Sequence, residues 1–177
     1  MRLVLATRNA HKLRELGALL GGVELEALPG DVELGPETGE TFAANALAKA
    51  QVASAALGRP AIADDSGIEA HALGGAPGVR SARWAGEHAT DAENLAKLLE
   101  RVPAHSPLTY VCAIAYVDAD GERVFEGHCR GTRAPEPRGD GGFGYDPAFV
   151  PDDYDDGRAM ADRILLPGRE LLTVLGQ

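Results

Sequence analysis

The chain has 177 residues, 45% of them hydrophobic, with 17 Lys and Arg against 27 Asp and Glu and a formal net charge of −10. That length and composition suit one folded domain or two closely joined lobes. The acidic balance, without a basic run, argues against a nucleic-acid polymer as partner, because such binding rests on Lys and Arg neutralising many phosphates.

Arg2–Ala6 reads as a short strand that turns polar at once at Thr7-Arg8-Asn9. It lacks the apolar core of a signal peptide, and no apolar run reaches the length of a bilayer span, so a cytoplasmic protein with no membrane contact is expected. Lys12–Leu20 follows as a helix with Leu13, Leu16, Leu19 and Leu20 on one face, then Val23–Ala27 as a strand. The Pro29–Gly39 loop and its end are rich in acids, including Glu33, Glu37 and Glu40. Thr41 caps an alanine-rich helix that runs to about Leu57 and stops at Gly58 and Pro60. Phe42, Ala46 and Ala50 form its apolar stripe, while Asn45 and Lys49 lie four apart on a neighbouring face.

The apolar lead Ala61–Ala63 then meets two adjacent carboxylates, Asp64 and Asp65, and Ser66-Gly67. This reads as a strand stopping on paired acids at a sheet edge, facing solvent, where open α/β sheets bind ligands. Hard cations such as Mg²⁺ take carboxylate oxygens and keep waters for a phosphate substrate; an acidic turn ending a buried strand is the plain alternative. Thr90-Asp91-Ala92-Glu93 matches a capping box and opens a helix through Leu99, with Leu95, Leu98 and Leu99 apolar. Asp120-Gly121 signals a two-residue hairpin between Tyr110–Val117 and Arg123–Cys129. A turn centred there sets Cys112 opposite Cys129 as two packed thiols rather than a disulfide. A glycine-rich loop, Gly139 to Pro147, comes last. Strands alternating with helices, plus one antiparallel hairpin, argue for an α/β fold with a mixed sheet.

Several of these segments carry the residue types of a nucleotide site. The Thr7–Lys12 loop opens a helix, so its N–H groups with Thr7, Asn9 and Lys12 suit a phosphate or polar base atoms, or equally an N-cap with a solvated lysine. Glu37 and Lys49 read either as site residues or as surface charges. Phe143-Gly144-Tyr145-Asp146-Pro147 sets two aromatics and an acid among glycines, which suits stacking on a purine or a plain turn. There is no P-loop, and Ser66 lacks the Gly-x-Ser-x-Gly setting.

Taken in order, the motifs resemble the house-cleaning nucleoside-triphosphate pyrophosphatases that hydrolyse inosine and xanthosine triphosphates. They are Leu5-Ala6-Thr7-Arg8-Asn9-x-x-Lys12, Glu37-Thr38-Gly39, Phe42-x-x-Asn45-Ala46-x-x-Lys49-Ala50, Ala63-Asp64-Asp65-Ser66-Gly67, Pro77-Gly78-Val79-x-Ser81-Ala82-Arg83 and Gly141-Gly142-Phe143-Gly144-Tyr145-Asp146-Pro147. The resemblance covers Leu3 to about Arg158. It implies an elongated mixed sheet flanked by helices, two lobes with a cleft between them, and a cytoplasmic homodimer. It also implies Mg²⁺ on Glu37 and Asp65, with Asp65 as the base that activates water. Substrate contacts fall to the loop Thr7, Arg8, Asn9, Ala10, His11 and Lys12, and to Ser66. Lys49 is expected to hold the triphosphate, and Phe143, Gly144, Tyr145 and Asp146 to line the nucleobase pocket.

Three positions depart from that pattern. Residue 8 is arginine where glycine is common, and residue 44 is alanine where a glutamate often sits. The segment 159–177 lacks the lysine and the Ser-His-Arg stretch that grip the purine, leaving only Arg163 and Arg169 as basic residues. Codons for Leu171-Leu172-Thr173-Val174 can spell Ser-His-Arg in a shifted frame, which resequencing or an intact mass tests. Without those donors, stacking alone predicts weak preference for inosine or xanthosine over adenosine. Two rival functions follow: a nucleotide binder that has lost turnover, and a pyrophosphatase for modified pyrimidine or other nucleotides.

Overall fold

The computed structural model describes residues 2–9, 12–13, 16–17 and 20–162. Six strands form one mixed sheet: β1 (Arg2–Leu5), β2 (Glu24–Ala27), β3 (Ala61–Ala70), β4 (Pro107–Asp118), β5 (Gly121–Arg133) and β6 (Phe149–Pro151), in the order β2-β1-β3-β4-β5-β6. β1 runs parallel to both β2 and β3, and β5 antiparallel to β6. Two helices carry most of the helical residues, α1 (Phe42–Leu57) and α2 (Asp91–Arg101). The chain divides into two compact units. The first comprises the described residues up to Asp65 with Cys112–Gly127; the second comprises Ser66–Val111 and the described residues from His128 onward.

In the first unit β1 sits between two parallel neighbours, so Leu3, Val4 and Leu5 are all buried and the strand reads as a continuous apolar run. Residues 12–13 and 16–17 are helical; Leu16 is buried and Leu13 and Leu20 pack with it against Leu3, Leu5, Ile62 and Ile114. Leu19, predicted on the same face, lies outside the described residues. Parallel strands need a crossover, and α1 lies in the chain between β1 and β3. The Thr41 hydroxyl accepts from Ala44 N at 3.1 Å, and Gly58 closes the helix in the left-handed region at φ 60°. Ala46, Ala50 and Ala53 are buried, and such small side chains let the helix backbone approach its neighbours closely.

The paired acids do not end their strand. β3 continues without a break through Asp64, Asp65, Ser66 and Gly67 to Ala70. Both carboxylates are therefore interior rather than solvent-facing, the two residues being 5% and 7% exposed. Gly67 is not a turn residue either: a Cβ there would stand 2.8 Å from the Gly78 carbonyl oxygen, so glycine admits the 78–83 helical turn against the strand.

In the second unit α2 opens on the predicted capping box, with Glu93 N donating to Thr90 Oγ1 and Thr90 N to Glu93 Oε2. Leu95, Leu98 and Leu99 meet a core of Ile68, Leu108, Cys129 and Phe149, where Tyr110 packs edge-on to Phe149 with centroids 4.7 Å apart.

The hairpin differs from the predicted one by one residue on each strand. Asp118 Oδ1 accepts from both Asp120 N and Gly121 N, so Ala119-Asp120 forms the connection. Arg133 N donating to Ser106 O keeps the same register at the far end. Cys112 thus faces Gly127 and Cys129 faces Tyr110, not each other, and both thiols are free.

Burial pushes the Cys129 thiol up to about 11 and the Cys112 thiol to about 12. At pH 8 the thiolate fraction is then about one in a thousand and about one in ten thousand respectively. Iodoacetamide labelling of folded protein, followed by mass spectrometry, should be far slower than in urea and rise about tenfold per pH unit. Because the fold favours the protonated thiols, their stabilisation is complete below the ordinary thiol range and is lost as pH rises through about 11 and 12.

Candidate active site

Asp64 and Asp65 are met by different lysines. Asp64 Oδ2 forms an ion pair with Lys12 Nζ. Asp65 turns to α1: its Oδ2 accepts from Asn45 Nδ2 at 3.0 Å and its Oδ1 from Lys49 Nζ at 3.4 Å. Lys49 also donates to Glu37 Oε1 at 2.8 Å. Two carboxylates from distant segments therefore share one ammonium group. Of the three glutamates named for that loop, Glu37 is drawn in this way, while Glu33 and Glu40 are exposed.

Asn45 completes the arrangement. It is 2% exposed, and its Oδ1 accepts from Gly39 N at 2.7 Å while its Nδ2 donates to Asp65. One amide thus ties the end of the Glu37 loop to β3. A Cβ at Gly39 would stand 3.1 Å from Asn45 Cγ, so the loop approaches this closely only with glycine. Sequence reasoning left Asn45 out of the site; its i, i+4 spacing from Lys49 was the available signal.

The cluster holds three carboxylates and two ammonium groups, one net negative charge. Burial pushes the Asp65 carboxyl upward, Lys49 opposes that, and Glu37 adds to it. Burial by itself would lower Lys12; the ion pair with Asp64 outweighs burial and leaves it raised. Asp64 Oδ1 is buried without a hydrogen-bond partner, and a buried acceptor left so costs about 1–3 kcal/mol.

This donor set fits a hard cation. Glu37 and Asp65 offer oxygens on one ammonium, and the net charge is negative. Among the described residues no group of three or more His, Cys, Asp or Glu is gathered for a metal. A two-carboxylate set suits Mg²⁺, which keeps waters and takes substrate phosphates as further ligands.

The other predicted residues fall out unevenly. Thr7 Oγ1 accepts from Asn9 N at 3.1 Å, closing a small turn after β1. Ala10 and His11 lie outside the described residues, as do Arg163 and Arg169. Arg8 does not present its guanidinium as a free phosphate ligand: it donates to the carbonyls of Leu28, Pro29, Gly30 and Val32. Ser66 is half-buried on β3.

In the second unit, Tyr145 and Asp146 are interior supports rather than exposed pocket groups. The Tyr145 ring is buried and its hydroxyl donates to Ser81 O at 2.7 Å. Asp146 accepts from Tyr110 Oη at 2.8 Å and from Phe143 N at 2.9 Å. Asp91 Oδ2 accepts from Gly144 N at 3.1 Å. Burial holds both tyrosine hydroxyls well above their ordinary range. Phe143 and Gly144 stay half-exposed, so the ring left for stacking is that of Phe143.

Fold and site together define an α/β protein built on a mixed sheet, with a buried carboxylate–lysine centre on its third strand. The pattern of the Ham1 family matches residues 3–163, and the chain belongs to that family. It is 50% identical over 171 residues to the dITP/XTP pyrophosphatase of Mycobacterium tuberculosis, covering 90% of this chain and 83% of the relative. A solved HAM1 protein from Coxiella burnetii superposes with a TM-score of 0.79 at 38% identity, covering 92% of this chain and 86% of that one. The dITP/XTP pyrophosphatase structure from Mycobacterium abscessus gives 0.73 at 42% identity over the same shares, 92% and 86%. The family match ends inside the segment 159–177 that departs from the motif pattern.

Replacing Asn45 with alanine strands a partly buried Gly39 N–H and removes a donor from Asp65. Urea unfolding should show a loss of roughly 1–3 kcal/mol, and pyrophosphate release should fall with it. An Asn45→Ala protein equal to wild type in both measurements would dismiss this bridge.

Proposed function

We propose that this chain is a nucleoside-triphosphate pyrophosphatase that hydrolyses non-standard purine nucleotides, of the inosine and xanthosine class, to the monophosphate and pyrophosphate with Mg²⁺. The observation that carries the reading is the convergence of Glu37 and Asp65 on Lys49 in a partly buried site. The names of the relatives support the substrate class, since those proteins are dITP/XTP pyrophosphatases.

In this reading Glu37 and Asp65 would hold Mg²⁺, which supplies charge neutralisation for the triphosphate. Asp65 takes the proton of a water whose oxygen attacks the α-phosphorus, and the bond between that phosphorus and the bridging oxygen breaks. Lys49 and Lys12 exchange part of their carboxylate contacts for phosphate oxygens and stabilise the departing pyrophosphate. The turn from Thr7 to Asn9 contributes main-chain N–H groups. No nucleophilic side chain is needed, because phosphoryl transfer rests mainly on positioning and electrostatics. Base reading belongs to Phe143 and the loop around it, with Tyr145 and Asp146 as its supports. The enzyme is further proposed to be a cytoplasmic homodimer; light scattering giving a single-chain mass would remove the dimer. Among the described residues no helix is long and apolar enough to cross a membrane.

Asp65→Asn keeps an oxygen for Asn45 Nδ2 while removing charge and basicity, so the variant should fold. Pyrophosphate release should drop at least about a hundredfold, the range for losing a general base. Near-normal turnover by folded Asp65→Asn protein would take Asp65 out of the mechanism.

Chelation of divalent cations should abolish turnover by the wild-type protein and added Mg²⁺ restore it. A panel of inosine, deoxyinosine, xanthosine, adenosine and pyrimidine triphosphates tests the substrate class. Preference for a pyrimidine, or pyrophosphate release unaffected by chelation, would refute the proposal as stated.

A further inference from the structure

Arg8 is directed at main-chain oxygens. Its guanidinium donates to Leu28 O at 3.0 Å, Pro29 O at 2.9 Å, Gly30 O at 3.4 Å and also to Val32 O. Four carbonyls of one short stretch thus converge on a single planar cation. Val32 N closes the stretch into a turn by donating to Pro29 O at 3.2 Å, and Leu28 and Val32 bury their side chains on either side of it. Carbonyl dipoles aimed at one point repel unless a cation or water sits there. Arginine is the side chain suited to that place, being permanently charged and carrying five donors in a fixed fork.

The stretch belongs to a segment, 28 to 39, that contains no helix or strand and ends at Glu37 and Gly39. Its far end is held by Lys49 on Glu37 and by Asn45 on Gly39 N. Among the described residues, what else holds the near end is its own turn bond and two buried side chains. Arg8 also lies between Thr7 and Asn9, so one residue joins the turn after β1 to the loop that carries Glu37. Charged hydrogen bonds are about twice as strong as neutral ones, which makes this the strongest tie on the near half of the loop.

We propose that Arg8 is a positioning residue: it clamps the 28–32 turn and thereby sets Glu37 where it meets Lys49, and its guanidinium does not contact the substrate. The clamp stands on the hydrogen bonds alone; its consequence for cation binding rests on the function proposed above.

The test compares Arg8→Ala and Arg8→Lys with wild type in two measurements. Amide hydrogen exchange on protein without ligands reads the loop directly. In Arg8→Ala, peptides covering 30–39 should exchange at least about tenfold faster while those covering β3 stay within about twofold. Arg8→Lys should fall between, because an ammonium group cannot span four carbonyls. The second measurement is the Mg²⁺ dependence of pyrophosphate release at saturating nucleotide. Half-saturation in Arg8→Ala should move up about tenfold, with kcat at saturating Mg²⁺ much less changed.

Unchanged loop exchange in Arg8→Ala overturns the clamp. Faster exchange throughout the chain also overturns it, since that marks a general structural role. A raised KM for nucleotide with the loop still protected overturns it as well, because Arg8 would then grip the substrate itself. Faster loop exchange with an unshifted Mg²⁺ requirement overturns the assignment of Glu37 to the cation and leaves the clamp standing.

Discussion

The ammonium group of Lys49, held between the carboxylates of Glu37 and Asp65, is the constraint on which the first unit is arranged. Asp65 lies inside a central strand, where an isolated carboxylate would be driven to its neutral form. A cation from elsewhere in the chain has to reach it. α1 delivers that cation, and its buried alanines let it lie close enough to do so. Removing one partner of such a buried pair typically costs about 3–5 kcal/mol, because the other charge is left uncompensated. The pairing is also poised for exchange, since a phosphate oxygen can take the place of either carboxylate on the lysine.

The adjacent residue of the same strand repeats the logic with a different source. Asp64 is neutralised by Lys12, which is helical, and keeps one oxygen without a hydrogen-bond partner among the described residues. Two adjacent residues of β3 thereby draw in one lysine each, both from segments outside that strand. Buried polar groups left partly satisfied are a weakness in a structural core. In a site that must receive a charged ligand they are open valences.

The second unit solves a separate problem, the stiffening of a glycine-rich loop. Asp146 ties Phe143 N to Tyr110, Tyr145 is anchored to Ser81 O, and Asp91 at the start of α2 receives Gly144 N. A loop rich in glycine is entropically expensive to order, so three side chains are committed to it. What it then presents is one half-exposed ring and a fixed backbone.

The sequence by itself determined the features that depend on a few neighbouring residues. Thr41 and Gly58 bracket α1, Thr90 and Glu93 open α2, and alternating elements spell a mixed α/β sheet. Each signal is a hydrogen bond or a backbone angle closed within a turn of chain. The ordered motifs carried the family for the same reason, being contiguous. Tertiary structure decided where each charge is met. Local reading ended the strand at Asp64-Asp65 because adjacent carboxylates prefer water; Lys12 and Lys49 let it run on to Ala70 instead. The choice of Glu37 over Glu33 and Glu40, the turning of Arg8 onto carbonyls 20 and more residues away, and the inward Tyr145 and Asp146 were likewise invisible locally. The stability of a buried charge is set by the partner that reaches it through space, and local sequence spacing does not specify that partner.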